Sequence, residues 1–112
     1  SEWASSVIAN PYLRSIIEPV SEMNVLFDNA RNEVNINWEY GNSSNDLIFV
    51  VYRGIDKMKL RKYKTINDPQ TRKFIDSELS NFEILNYAIK VYTLTGIESK
   101  MSEVISLPLK RN

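Results

Sequence analysis

The sequence predicts an all-β sandwich of about seven short antiparallel strands. Two observations carry the prediction. Apolar and polar residues alternate in short runs, most plainly in Val34-Asn-Ile-Asn-Trp38 and Tyr87-Ala-Ile-Lys-Val91. A two-residue period is what a strand with one buried face requires, because successive side chains point to opposite sides. Clusters of Gly, Asn, Asp, Ser and Pro break these runs roughly every 8–12 residues, the spacing of turns in a sandwich.

Residues 1–18 stand apart. Asn10-Pro11 has the form of a helix start, since Asn caps well and Pro is tolerated at the first helical position. Ile8, Tyr12, Leu13, Ile16 and Ile17 fall near helical spacing, and Pro19 ends the run. So short a helix needs a surface to dock on. The segment is expected to be a linker or an accessory helix anchored by Trp3 and Tyr12.

From Pro19 the pattern is β. Met23 and Val25 mark a first strand and Asp28–Asn32 a turn. Val34, Ile36 and Trp38 face inward in the second strand. After a loop at 41–46, Leu47–Arg53 is β-prone throughout, with Phe49 and Val51 expected in the core and Ile48 and Val50 partly covered. Lys57–Lys64 alternates basic and apolar residues. A strand ending Phe74-Ile-Asp76 comes next, then a polar corner, then the strand from Tyr87 with Ile89 and Val91 inward. Gly96 marks the last turn. Glu103–Leu109 is expected to form the final strand, with Ile105, Leu107 and Leu109 inward and Pro108 placing it at an edge or ending it there.

The 112 residues fit one domain, and 43% hydrophobic with 25% charged residues is a globular balance. Fourteen basic and fourteen acidic residues cancel, so no global field steers the chain onto nucleic acid. There is no cysteine and no histidine. Thiolate nucleophiles, disulfides, imidazole zinc sites and Ser-His-Asp chemistry are excluded together. No apolar run approaches the roughly 18 residues of a membrane span, and no residue pattern implies a cofactor. The chain begins at Ser1, which points to a processed protein or a piece of a longer one.

In this order the residues resemble a fibronectin type III domain, an immunoglobulin-like sandwich, over 19–110. The resemblance rests on Pro19, Val34-x-Ile-x-Trp38, Phe49-x-Val-Tyr-Arg53, Phe74-Ile-Asp76, Tyr87-x-Ile-x-Val91 and Gly96-x-x-Ser99-x-x-Ser102. The Val-Tyr-Arg, Phe-Ile-Asp and serine pieces look most like modules of secreted bacterial enzymes and surface proteins. The resemblance implies a secreted or cell-surface setting and a spacer or docking role beside neighbouring domains of one polypeptide. It also implies a tyrosine corner, with the Tyr87 hydroxyl bonded to backbone within Leu79–Glu83 and Leu79 as its apolar partner. Here the corner is longer than the family's and lacks its Pro and Gly, so Leu85 is an alternative to Leu79.

Candidate contact residues are few. Lys57, Lys59, Arg61, Lys62 and Lys64 carry no acid among them; they read either as a stripe for an anionic polymer or an acidic partner domain, or as an edge strand protected by lysines. Tyr52, Tyr63 and Tyr92 point outward if Val51 and Val91 point inward, and could contact carbohydrate or protein. Trp38 belongs to the core. The carboxylates are scattered with no spacing that selects a catalytic pair. Asp76-Ser-Glu78 lacks a ligand-dense calcium loop, and Asp76 is expected to bond loop backbone.

Overall fold

The computed structural model describes residues 16–111. The expected helix over 10–17 therefore lies almost wholly outside the described residues. Among the described residues there are seven strands: β1 (Ser21–Asp28), β2 (Glu33–Glu39), β3 (Leu47–Gly54), β4 (Arg61–Ile66), β5 (Lys73–Asp76), β6 (Ile84–Thr93) and β7 (Ile105–Pro108). They form two antiparallel sheets, one ordered β1-β2-β5 and the other β4-β3-β6-β7.

The alternation in β2 becomes a fully buried row. Val34, Ile36 and Trp38 are at most 2% exposed, and they face Phe49, Val51, Ile89 and Val91 of the other sheet, each at 0%. Tyr87, Leu79 and Leu85 complete this core, so the corner buries both leucines rather than one. The Trp38 and Phe49 rings meet at 5.5 Å, tilted by 50°, within the range where aromatic pairs attract. Val50 is buried too, on the outer face of β3.

The final strand is shorter than expected, and two serines explain how β6 stays paired beyond it. The Val91 N–H donates to Ser99 Oγ at 2.9 Å, and the Ser99 N–H returns a 2.8 Å bond to the Val91 carbonyl. The Ile89 N–H donates to Ser102 Oγ at 2.8 Å, and the Ser102 N–H returns a 2.9 Å bond to the Ile89 carbonyl. Each serine thus exchanges two bonds with one β6 residue, satisfying buried backbone where no regular ladder runs. Gly96 makes the preceding turn at φ +93°, a conformation glycine adopts freely. Pro108 ends β7 on the edge of its sheet, where no ladder needs its missing N–H.

Candidate functional site

The densest cluster of ionisable side chains gathers at the end of β5. Asp76 is 1% exposed, and its carboxylate accepts from Tyr87 Oη at 2.6 Å, Tyr63 Oη at 2.7 Å, Arg53 Nη1 at 2.8 Å and the Glu78 N–H at 3.0 Å. Arg53 is the last inward side chain of β3. It also donates to the Glu78 carbonyl at 2.7 Å and stacks 3.8 Å from the Tyr63 ring centroid, with the Phe82 ring 5.5 Å away. Burial pushes the Asp76 carboxyl up, but the bonds from Tyr87, Tyr63 and Arg53 outweigh it and hold it below its usual value. The same burial and bonding push the Tyr87 and Tyr63 phenols up. Asp76 is therefore a satisfied anion that joins β5 of one sheet to β3, β4 and β6 of the other.

This geometry corrects the expected corner. The Tyr87 hydroxyl reaches a carboxylate, not backbone. Three carbonyls around the corner are taken by arginines, Glu78 O by Arg53, and Ser80 O and Phe82 O by Arg111 at 3.2 Å and 2.6 Å, while Leu79 O and Glu83 O accept backbone N–H groups. Asp76 itself takes one backbone N–H, as expected, together with three side chains that no local sequence pattern connects to it.

Tyr52, Tyr63 and Tyr92 do not share a face. In the β3–β4 ladder Val51 pairs with Lys64 and Tyr52 with Lys62, so Tyr63 is the extra residue of a bulge. Bulges re-aim a side chain, and this one turns Tyr63 inward onto Asp76 and against Phe74 at 6.3 Å. Tyr52 and Tyr92 remain together on the outer face, their hydroxyls 2.7 Å apart, with the Val50–Lys90 pair between them in the register. Tyr52 is only 8% exposed. Its phenol is pushed up, by burial first and by the bond to Tyr92 second. Lys62 Nζ lies 5.3 Å from the Tyr92 ring centroid and Lys90 Nζ 5.9 Å.

The basic run is also divided. Residues 57–60 are not strand but a turn: the Met58 N–H donates to Asp56 Oδ1 at 2.9 Å and the Lys59 N–H to the Asp56 carbonyl at 2.9 Å. Lys64 pairs with Glu78 at 3.1 Å. Lys62 goes to the outer face beside Tyr92. Lys59 and Arg61 line an open groove of about 580 Å³ with Arg53, Gly54, Ile55, Asp56, Phe82 and Leu85. Lys57 is exposed in the turn. Among the described residues none of Lys57, Lys59, Arg61 and Lys62 forms an ion pair. Also among the described residues, no group of three or more Asp or Glu is placed to hold a metal ion, and no helix is long and apolar enough to cross a membrane.

No protein-family model and no curated protein matches the sequence. Solved structures match the fold. A Fn3-like protein from Clostridium thermocellum aligns with a TM-score of 0.65 at 16% identity, over 86% of this chain and 98% of that one. A pectate lyase, PelI of Erwinia chrysanthemi, aligns with a TM-score of 0.64 at 16% identity, over 79% of this chain and 28% of the lyase. A β-1,2-glucanase from Parabacteroides distasonis aligns with a TM-score of 0.62 at 15% identity, over 81% of this chain and 12% of the glucanase. The chain thus spans nearly the whole of the first protein and a minor part of each enzyme. Its three-plus-four arrangement is the fibronectin type III-like sandwich.

Proposed function

We propose that this chain is a non-enzymatic structural module, a spacer or docking domain, of a larger exported protein that is carbohydrate-active or displayed at the cell surface. Its partners are neighbouring domains of the same polypeptide, with residues 1–18 linking or docking it upstream. The observation that carries this reading is the Asp76 cluster. A carboxylate that already accepts from two phenols, a guanidinium and a backbone N–H is committed to holding two sheets together, and a stiff sandwich is what a spacer needs. Support also comes from the likeness to a minor part of a pectate lyase and of a glucanase, where a domain of this fold shares a chain with much other sequence.

The second reading is an autonomous carbohydrate- or protein-binding module. One observation favours it: Tyr92 is half-buried on the outer face with Lys62 and Lys90 beside it. Tyr52 does not extend this into a platform, since it is buried beneath its neighbours.

A glycan array and polysaccharide affinity electrophoresis with the 112-residue chain separate the two. The expected result is no saturable retention, together with a single cooperative thermal transition seen alike by near- and far-ultraviolet circular dichroism. Saturable binding that disappears in Tyr92→Ala while the transition persists overturns the first reading in favour of the second.

A further inference from the structure

We infer that the groove under the β3–β4 turn is a docking site for an acidic peptide segment with an aliphatic anchor. The inference deepens the docking role proposed above and rests on it. The groove is built rather than incidental. Gly54 lines it, and a Cβ there would meet the Lys59 carbonyl at 3.0 Å, so the turn folds down closely on the end of β3. The turn is pinned by the two bonds to Asp56, and Arg53 is held in place by Asp76.

Two chemistries meet there. Ile55 is 64% exposed and Phe82 half-buried, giving an apolar side. Lys59 and Arg61 stand at the groove as exposed cations without an ion pair among the described residues. Arg53 is neutralised by Asp76, and Asp56 is the one acid among the lining residues, its side chain engaged in the turn. Leu85, fully buried, adds to the apolar lining. Cations beside aliphatic and aromatic surface favour an acidic peptide over an anionic sugar chain, because a sugar offers no aliphatic side chain to Ile55. The charges would steer and orient the segment, while its apolar residue would fill the groove.

The test is an amide NMR titration of the 112-residue chain with a capped peptide carrying a leucine flanked by glutamates. A lysine-flanked version and an oligogalacturonate serve as comparisons. Expected are saturable shifts centred on Ile55, Lys59, Arg61 and Phe82, for the glutamate peptide alone. They should weaken as salt rises and fall on the order of tenfold in affinity in the Lys59→Glu, Arg61→Glu double variant. That variant changes exposed side chains, and its retained spectrum and thermal transition report that the fold is intact. Shifts that are absent, lie elsewhere, or are equal with the lysine peptide overturn the docking site and leave the structural-module reading standing. Saturable shifts with oligogalacturonate alone overturn both.

Discussion

The Tyr87 hydroxyl donates a 2.6 Å hydrogen bond to Oδ2 of Asp76, linking the middle of one sheet to the edge of the other through two buried side chains. A bond to a charged acceptor is worth more than one to a backbone carbonyl. Tyr87→Phe is therefore expected to cost about 1.5–3 kcal/mol, measured by urea denaturation. Asp76→Asn should cost more, about 3–5 kcal/mol, because it leaves the Arg53 guanidinium without its counter-charge. A double-mutant cycle between Tyr87→Phe and Tyr63→Phe should show coupling, since both hydroxyls serve one carboxylate. Strict additivity would refute the shared-acceptor picture.

The same carboxylate makes stability depend on acid. Its pKa in the folded chain lies below the ordinary value of 3.8, so the unfolded chain takes up the proton first. The contribution of Asp76 is complete above that value and is lost as pH falls through the lower folded one. The denaturation midpoint is expected to hold through mildly acidic pH and drop below about pH 4. In Asp76→Asn the curve should start lower and fall less steeply over that range. An unchanged slope in the variant would assign the acid sensitivity to other carboxylates.

Ser99 and Ser102 carry a second, independent set of predictions. Their hydroxyls accept the buried N–H groups of Val91 and Ile89. Ser→Ala at either site keeps the shape and orphans a buried donor, at a cost of about 1–3 kcal/mol. Faster hydrogen exchange should be confined to the matching amide, Val91 for Ser99→Ala and Ile89 for Ser102→Ala. Ser106→Ala is a contrasting control, because its hydroxyl bonds the Asn86 side chain rather than a strand amide.

The range of each interaction decides how much of the molecule is legible in its sequence. The alternation of Val34, Ile36 and Trp38 is local, and the structure buries all three as that pattern requires. Pro108 signals locally that its strand lies at an edge or ends there, and β7 does both. The serine spacing after Gly96 is readable as a resemblance, but its reason needs the register of β6. The Asp76 cluster is out of reach because its partners come from β3, β4 and β6, brought together only by the crossing of the two sheets. Tyr63 faces inward, against expectation, for another reason. A one-residue bulge leaves composition unchanged while reversing the facing of the side chains beyond it. The basic run looks like one strand because alternation persists through residues 57–60, which the Asp56 bonds bend into a turn. A signal is present there: Gly54-Ile-Asp56 combines a glycine with a residue that bonds its own backbone, the usual mark of a turn.

Two glycines should respond to alanine in opposite directions. At Gly54 a Cβ would lie 3.0 Å from the Lys59 carbonyl and 3.2 Å from Leu60 Cδ2, and the backbone contact cannot yield without lifting the turn. Gly54→Ala is expected to destabilise by about 1–3 kcal/mol, the usual cost of forcing atoms into packed space. It should also shift the amides of residues 56–61. At Gly41 no atom lies within 4 Å of the added carbon, and the backbone is not in the left-handed region. Gly41→Ala removes freedom from the unfolded chain without straining the folded one, a gain of about 0.4–1 kcal/mol. Thermal denaturation of the two variants in parallel checks both signs. A Gly54→Ala protein as stable as the wild type would mean that the turn sits more loosely on β3, and that the groove beneath it is not a preformed surface.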